Sequence, residues 1–245
     1  MNIIAEIGIN HNGDINLAYE LIRQAKLSGA DIAKFQFYDP DKIFGPQGSY
    51  PDKKNYEFAL KVQFNYEQAK ILKKWCDQEG IEFMASVFDM ERLEWVQSLG
   101  VKRYKIASRS VENQELCQKI LQTGKETFVS LGFWQKKEVP YKYENAKYLY
   151  CVPKYPCYYE DIELPQDFGE SIYEGFSDHT IGIEVALVAI ARGATIIEKH
   201  FTLNKGLAGP DHICSVTPGE LTHLCQYARQ IEQFNKKVKK SKVKI

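Results

Sequence analysis

Residues 174–202 read EGFSDHTIGIEVALVAIARGATIIEKHFT, a short apolar run, a helix-like stretch over 182–192 and a second apolar run over 194–199. That order is a strand, a crossover helix and a parallel strand. Polar residues in the two runs fall at alternate positions near their C-terminal ends: Ser177 with His179, and Glu198 with His200. Residues i and i+2 share one face of a strand. The run DIAKFQF (31–37) repeats the pattern with Lys34 and Gln36. In a closed barrel that shared face is the interior, and the polar side chains converge at the C-terminal mouth, where such barrels place their active sites. An open sheet gives no such convergence.

The same alternation extends over most of the chain. Further strand candidates are 2–9, 81–87, 102–107, 126–131 and 147–152, which with 31–37, 174–178 and 194–199 make eight. Helical spacing is clearest at 14–28, 65–79, 89–98, 113–123, 182–192 and 217–238. Asn65 before YEQ and Thr217 before PGE each stand three positions ahead of a Gln or Glu, as in a capping box. The stretches 133–146 and 158–173, rich in Pro, Tyr and charge, read poorly as helix. A length of 245 residues without a linker-like break fits one (β/α)₈ (TIM) barrel domain spanning 1–245, an α/β fold.

Thirty-two basic and thirty-two acidic residues cancel, so no global field draws nucleic acid or a membrane surface. Neither a leader-like N-terminus nor a membrane-length apolar run is present, and the expected location is the cytoplasm. Six scattered cysteines without C-x-x-C spacing are expected to be reduced thiols. The lysine-rich run KKVKKSKVKI after Asn235 reads as a solvated helix end.

Charge inside an apolar strand is expensive unless it is paired. Glu6, Lys34, Lys105 and Glu198 would all be interior, and the bland account of them is an ion-pair network in the barrel core. His179 and His200 end consecutive strands and are expected to be neighbours, an arrangement that invites a divalent metal. Asp178, Glu198 and Asp211 are candidates to ligate it or to orient the imidazoles, with His11 and His212 as further candidates. For an anion the material is Lys34 and Lys105 with Ser86, Ser108, Ser130 and Ser177, near strand ends. No G-x-x-x-x-G-K-[ST] loop, G-x-G-x-x-G turn or G-x-S-x-G elbow occurs, which argues against nucleotide cofactors and an α/β-hydrolase.

The stretches 5–37, 87–89, 104–108 (YKIAS), 155–156, 176–202 and 209–212 (GPDH) together resemble the NeuB family of N-acetylneuraminate synthases. The resemblance implies a barrel that holds phosphoenolpyruvate and an open-chain sugar aldehyde around a divalent metal, commonly Mn²⁺, with Mg²⁺ or Co²⁺ as substitutes. It carries the metal ligands to His179 and His200. It carries phosphoenolpyruvate binding to Lys34, Lys105, Ser86, Ser108, Ser130 and Ser177. Sugar and water handling go to Glu6, Gln36, Tyr155, Glu198 and Asp211, with Glu198 first and Glu6 second for protons. A homodimer is the expected assembly.

Three departures from the family pattern bear on substrate. Members usually continue into a C-terminal antifreeze-like (SAF) domain, whereas this sequence stops at Ile245; a different sugar, a separate SAF-like cap protein or a local substitute is then expected. The family's K-I-x-S-G-[DE] reads Lys105-Ile-Ala-Ser-Arg109-Ser110, which loses an acid and gains Arg109, a group suited to phosphate or to an acidic acceptor. Pro153-Lys154 replaces a small polar residue, with Lys154 as a candidate compensator, and the segment 131–146 brings Trp134 and several lysines forward as a candidate lid. The leading expectation is a synthase that makes a sialic-acid-like 2-keto-3-deoxy acid. The alternatives are a binding or regulatory relative without turnover, and a barrel lyase or aldolase with a Schiff-base lysine.

Overall fold

The computed structural model describes residues 1–45 and 53–242. Eight strands, β1 (Asn2–Gly8), β2 (Ile32–Phe37), β3 (Glu82–Val87), β4 (Tyr104–Ile106), β5 (Thr127–Ser130), β6 (Ala146–Cys151), β7 (Tyr173–Asp178) and β8 (Ile196–His200), close into one barrel in sequence order. Every neighbouring pair is parallel, and β1 closes on β8 with Glu6 opposite His200. All eight expected strands are present.

The interior is layered by the period-2 alternation of each strand. Ile4, Ile32, Met84, Phe128, Leu149 and Ile196 form a closed apolar cluster inside the barrel. Two residues further along the same strands stand Glu6, Lys34, Ser86, Ser130, Cys151 and Glu198, so the apolar plug is capped by a polar layer. On β7 the corresponding inward position is Gly175. A Cβ there would lie 2.2 Å from the Ile196 carbonyl oxygen, so only glycine lets β7 and β8 approach this closely. Outward residues of the strands join the larger core under the helices.

Helices α1 (Ile15–Leu27), α4 (Tyr66–Glu79), α5 (Met90–Ser98), α6 (Gln114–Leu121), α7 (Glu184–Ala191) and α8 (Pro218–Lys242) fill the expected crossovers. Asn65 forms a full capping box with Gln68 at the start of α4. At α8 the box is one-sided: Thr217 donates its backbone N–H and its hydroxyl to Glu220, at 2.8 and 2.9 Å. Two short helices, α2 (Pro40–Phe44) and α3 (Lys53–Val62), stand between β2 and α4, in addition to the expected elements. The connections around β6 hold no α-helix, only single 3₁₀ turns at Tyr159–Asp161 and Phe168–Glu170. Two of the eight crossovers of an ideal barrel thus lack their helix, consistent with the Pro- and Tyr-rich composition there. Of the lysine-rich tail, residues 243–245 and the side chains from 238 onward lie outside the described residues. No helix among the described residues is long and apolar enough to cross a membrane.

Candidate active site

At the C-terminal ends of the strands, the polar layer forms a paired network. Lys34 Nζ lies 2.9 Å from Glu6 and 3.4 Å from Glu198, and donates to the Ser86 hydroxyl at 3.1 Å. Lys105 Nζ lies 3.6 Å from Glu198 and donates to the Ser130 hydroxyl at 2.8 Å. Ser177 donates to Glu198 at 2.8 Å, and Gln36 donates to Glu6 at 2.7 Å. Contacts from β2 and β4 to β8 cross the barrel, which is possible only for inward side chains. All four charges are almost completely buried.

Their electrostatics differ. Burial raises the Glu198 carboxyl, but Lys105 and Lys34 outweigh it and hold its pKa down at about 2. For Glu6, burial prevails over Lys34 and leaves the carboxyl above its ordinary value. Burial works against the Lys34 ammonium, yet Glu198 and Glu6 hold its pKa above normal. Lys105, with weaker carboxylate support, is lowered by burial. The environment therefore separates two carboxylates in one pocket, a pattern that assigns different proton roles.

The histidines meet on one side of this floor, their ring centroids 5.4 Å apart. The Tyr155 ring lies 4.0 Å from that of His179 and 5.7 Å from that of His200. His179 Nδ1 donates to the Val152 carbonyl at 2.8 Å, which leaves the lone pair on Nε2. His200 Nδ1 is buried without a hydrogen-bond partner, 3.7 Å from Asp211. Burial lowers the His179 imidazole to about 4 and also holds His200 well below its ordinary value. Burial and Glu6 push Asp211 up to about 7.

Two neutral imidazoles, one with an orphaned buried nitrogen, fit a divalent cation. Among the described residues no group of three His, Cys, Asp or Glu side chains could hold a metal. The protein would thus supply two nitrogen donors and leave the remaining positions to substrate and water, as in open catalytic sites.

Above the network is a cavity of about 410 Å³ whose lining includes Gln36, Tyr38, Ser108, Arg109, Tyr155, His200 and Asp211. Ile43, Phe44 and Phe58, from the two unforeseen helices, form an apolar wall with Phe88 and Phe133. Tyr38 was legible in principle, because it continues the inward alternation of Lys34 and Gln36 by two residues. The wall from α2 and α3 belongs to a stretch outside the expected elements.

Several expected participants are elsewhere. Asp178 faces outward, 3.0 Å from Lys199 in a fully buried pair, and accepts from the backbone N–H and hydroxyl of Thr180. It does not orient either histidine. His11 stacks on Phe64 and accepts from the Gly13 N–H. His212 bonds Thr202 and Asn12. Both are structural. Lys154 is exposed and paired with Asp161 rather than aimed at the pocket. Trp134 donates to the Glu138 carbonyl and lines a separate surface recess with Tyr141; Phe133 is the residue of that segment that reaches the mouth. Ser108 accepts from the Phe133 N–H at 2.8 Å, and Ser110 is buried away from the cavity.

Comparison with known proteins agrees with the barrel fold. The NeuB family matches residues 21–240. The N,N'-diacetyllegionaminic acid synthase of Legionella pneumophila is 35% identical, over 94% of this chain and 72% of its own length. The human N-acetylneuraminate-9-phosphate synthase is 32% identical, over 94% of this chain and 70% of its own. Among solved structures, the N-acetylneuraminic acid synthetase of Leptospira borgpetersenii, in complex with citrate, superposes with a TM-score of 0.87 at 32% identity, covering 95% of this chain and 84% of that one.

Proposed function

The chain belongs to the NeuB family, and we propose that it condenses phosphoenolpyruvate with a sugar aldehyde to give a nonulosonic acid and phosphate. The observation that carries this reading is the buried polar layer inside the barrel, where two lysines and three serine hydroxyls lie beside two carboxylates. Phosphoenolpyruvate carries a phosphate and a carboxylate, and Lys34, Lys105, Ser86, Ser130 and Ser177 supply the charge and the donors to hold both. Ser108 extends that set at the rim.

The acceptor lies above, against Gln36, Tyr155 and Asp211. His179 and His200 would hold a divalent metal, for which Mn²⁺ is our first choice, and such an ion acts as a Lewis acid on the aldehyde oxygen. Attack of C3 of phosphoenolpyruvate on the aldehyde carbon forms the new C–C bond and leaves positive charge at C2. Glu198, held ionised by both lysines, stabilises that charge. Water adds at C2, and the resulting tetrahedral centre expels phosphate with cleavage of the C2–O bond. Glu6, held above the ordinary carboxyl range and oriented by Gln36, handles the protons ahead of Glu198. The balance is one phosphoenolpyruvate, one aldehyde and one water to one 2-keto-3-deoxy acid and one phosphate. The relatives named above make legionaminic and neuraminic acids, which supports an acceptor of the N-acetylated amino-sugar type.

The test is phosphate release from phosphoenolpyruvate with Mn²⁺ across a panel of aldoses that includes N-acetylmannosamine. Release that requires a sugar and is lost in His200→Ala supports the reading. Release that proceeds equally without any sugar contradicts it.

A further inference from the structure

The rim of the cavity carries a cationic group, distinct from the two lysines buried beneath it, that the condensation described above leaves unused. Arg109 lies past the end of β4, four residues beyond Lys105, so its guanidinium is at the rim while the Lys105 ammonium is inside the barrel. It is exposed, and it is the only Lys or Arg among the described residues that line the cavity. It forms no ion pair among them; its guanidinium stands over the Phe44 ring, 5.7 Å from the centroid. A guanidinium on an aromatic face keeps its forked donors free, and that fork matches a phosphate or carboxylate bidentately.

The strand order fixes which end of a bound sugar meets it. In a closed barrel numbered in sequence, β4 is diametrically opposite β8. His200 is at the end of β8 and His179 just beyond β7, so the reacting aldehyde belongs on that side and Arg109 faces it across the mouth. The anionic groups of phosphoenolpyruvate are provided for below, by Lys34, Lys105 and their serines. We infer that Arg109 selects an acceptor sugar bearing a negatively charged group, a phosphate monoester or a carboxylate, at the end remote from its aldehyde. The inference rests on the reading of this cavity as the site for a sugar aldehyde.

Alditols lack the aldehyde and cannot condense, so they report binding without turnover. Calorimetric titration in saturating phosphoenolpyruvate would compare N-acetylmannosaminitol, its 6-phosphate and the corresponding 6-carboxylate on wild type, Arg109→Gln and Arg109→Lys. We expect one of the charged alditols to bind about ten-fold or more tightly than the neutral one, on the order of a single charge-assisted contact. Arg109→Gln should erase that difference and Arg109→Lys should keep part of it. Whichever charged alditol shows the preference identifies the group. Equal binding of all three, or an Arg109→Gln effect on phosphoenolpyruvate affinity in place of the sugar, would overturn the inference. Phosphate release with the matching aldehydes separates the two claims. Binding through Arg109 without release defeats the condensation reading alone, whereas release without preference for charge defeats the Arg109 inference alone.

Discussion

Lys34 touches both carboxylates of the barrel floor, so its removal strips their charge balance and, under the proposed function, removes an anion-binding group. Lys34→Met should weaken phosphoenolpyruvate binding about 100-fold or more, a loss typical of a buried charge contact; calorimetry that finds unchanged affinity would remove Lys34 from the anion site. The Asp178–Lys199 pair makes a different prediction, because it faces away from the cavity. Taking away one partner leaves a buried charge alone, and Asp178→Leu or Lys199→Met should each cost about 3–5 kcal/mol, while the double variant recovers most of the loss. Urea denaturation of the three variants checks this, and additive losses would contradict it. These two networks also mark where sequence reading succeeds and fails. Lys34, Glu198 and His200 were legible because alternation fixes a strand face, whereas Asp178 was misread as a site residue although the same alternation turns it outward.

Helix ends follow the same logic one level up. Asn65→Ala removes a complete capping box and should destabilise the fold by about 1 kcal/mol. Glu220 receives Thr217 and Lys205, and although burial raises its carboxyl, those contacts hold it below the ordinary 4.5. A depressed folded pKa contributes stability above the unfolded value and loses it as pH falls through the folded one. Glu220→Ala should therefore destabilise the fold at pH 7, by no more than about 1 kcal/mol because the carboxylate is partly solvent-screened, and thermal melts should show the difference shrinking as the carboxylate is protonated at acid pH; a difference independent of pH would contradict the assignment. The long crossover helices were legible from spacing and caps. Helices α2 and α3 lay outside the expected elements: α2 is only five residues long, and α3, although its buried residues Tyr56, Ala59 and Val62 recur at three-residue spacing, is short and stands in a long connection. Their wall of the cavity was therefore found only in the folded chain.

Barrel closure is a property of the whole chain, and it explains the behaviour of groups far apart in sequence. All six cysteines are buried as free thiols, and burial raises those of Cys117 and Cys157 to about 11 and those of Cys151, Cys214 and Cys225 to about 12. The native protein should give no rapid reaction with a thiol reagent, and six equivalents should react only after denaturation; fast native labelling would show that one of these segments opens. Eight strands were counted from sequence, but closure was inferred only because polar residues recurred on shared faces, and the ion pairs from β2 and β4 to β8 are that inference realised. The residues of the buried polar layer, the two histidines and Arg109 were all legible in the sequence, whereas the position of Arg109 across the mouth from the histidines and the apolar wall beside it required three dimensions. The central claim is that this polar layer drives carbon–carbon bond formation with loss of phosphate from C2. The direct measurement is mass spectrometry of the products formed from phosphoenolpyruvate carrying ¹⁸O in its bridging position, with Mn²⁺ and the accepted aldehyde. The account predicts a 2-keto-3-deoxy acid extended by three carbons, with the label in inorganic phosphate. Pyruvate that retains the label, with the sugar unextended, would contradict it.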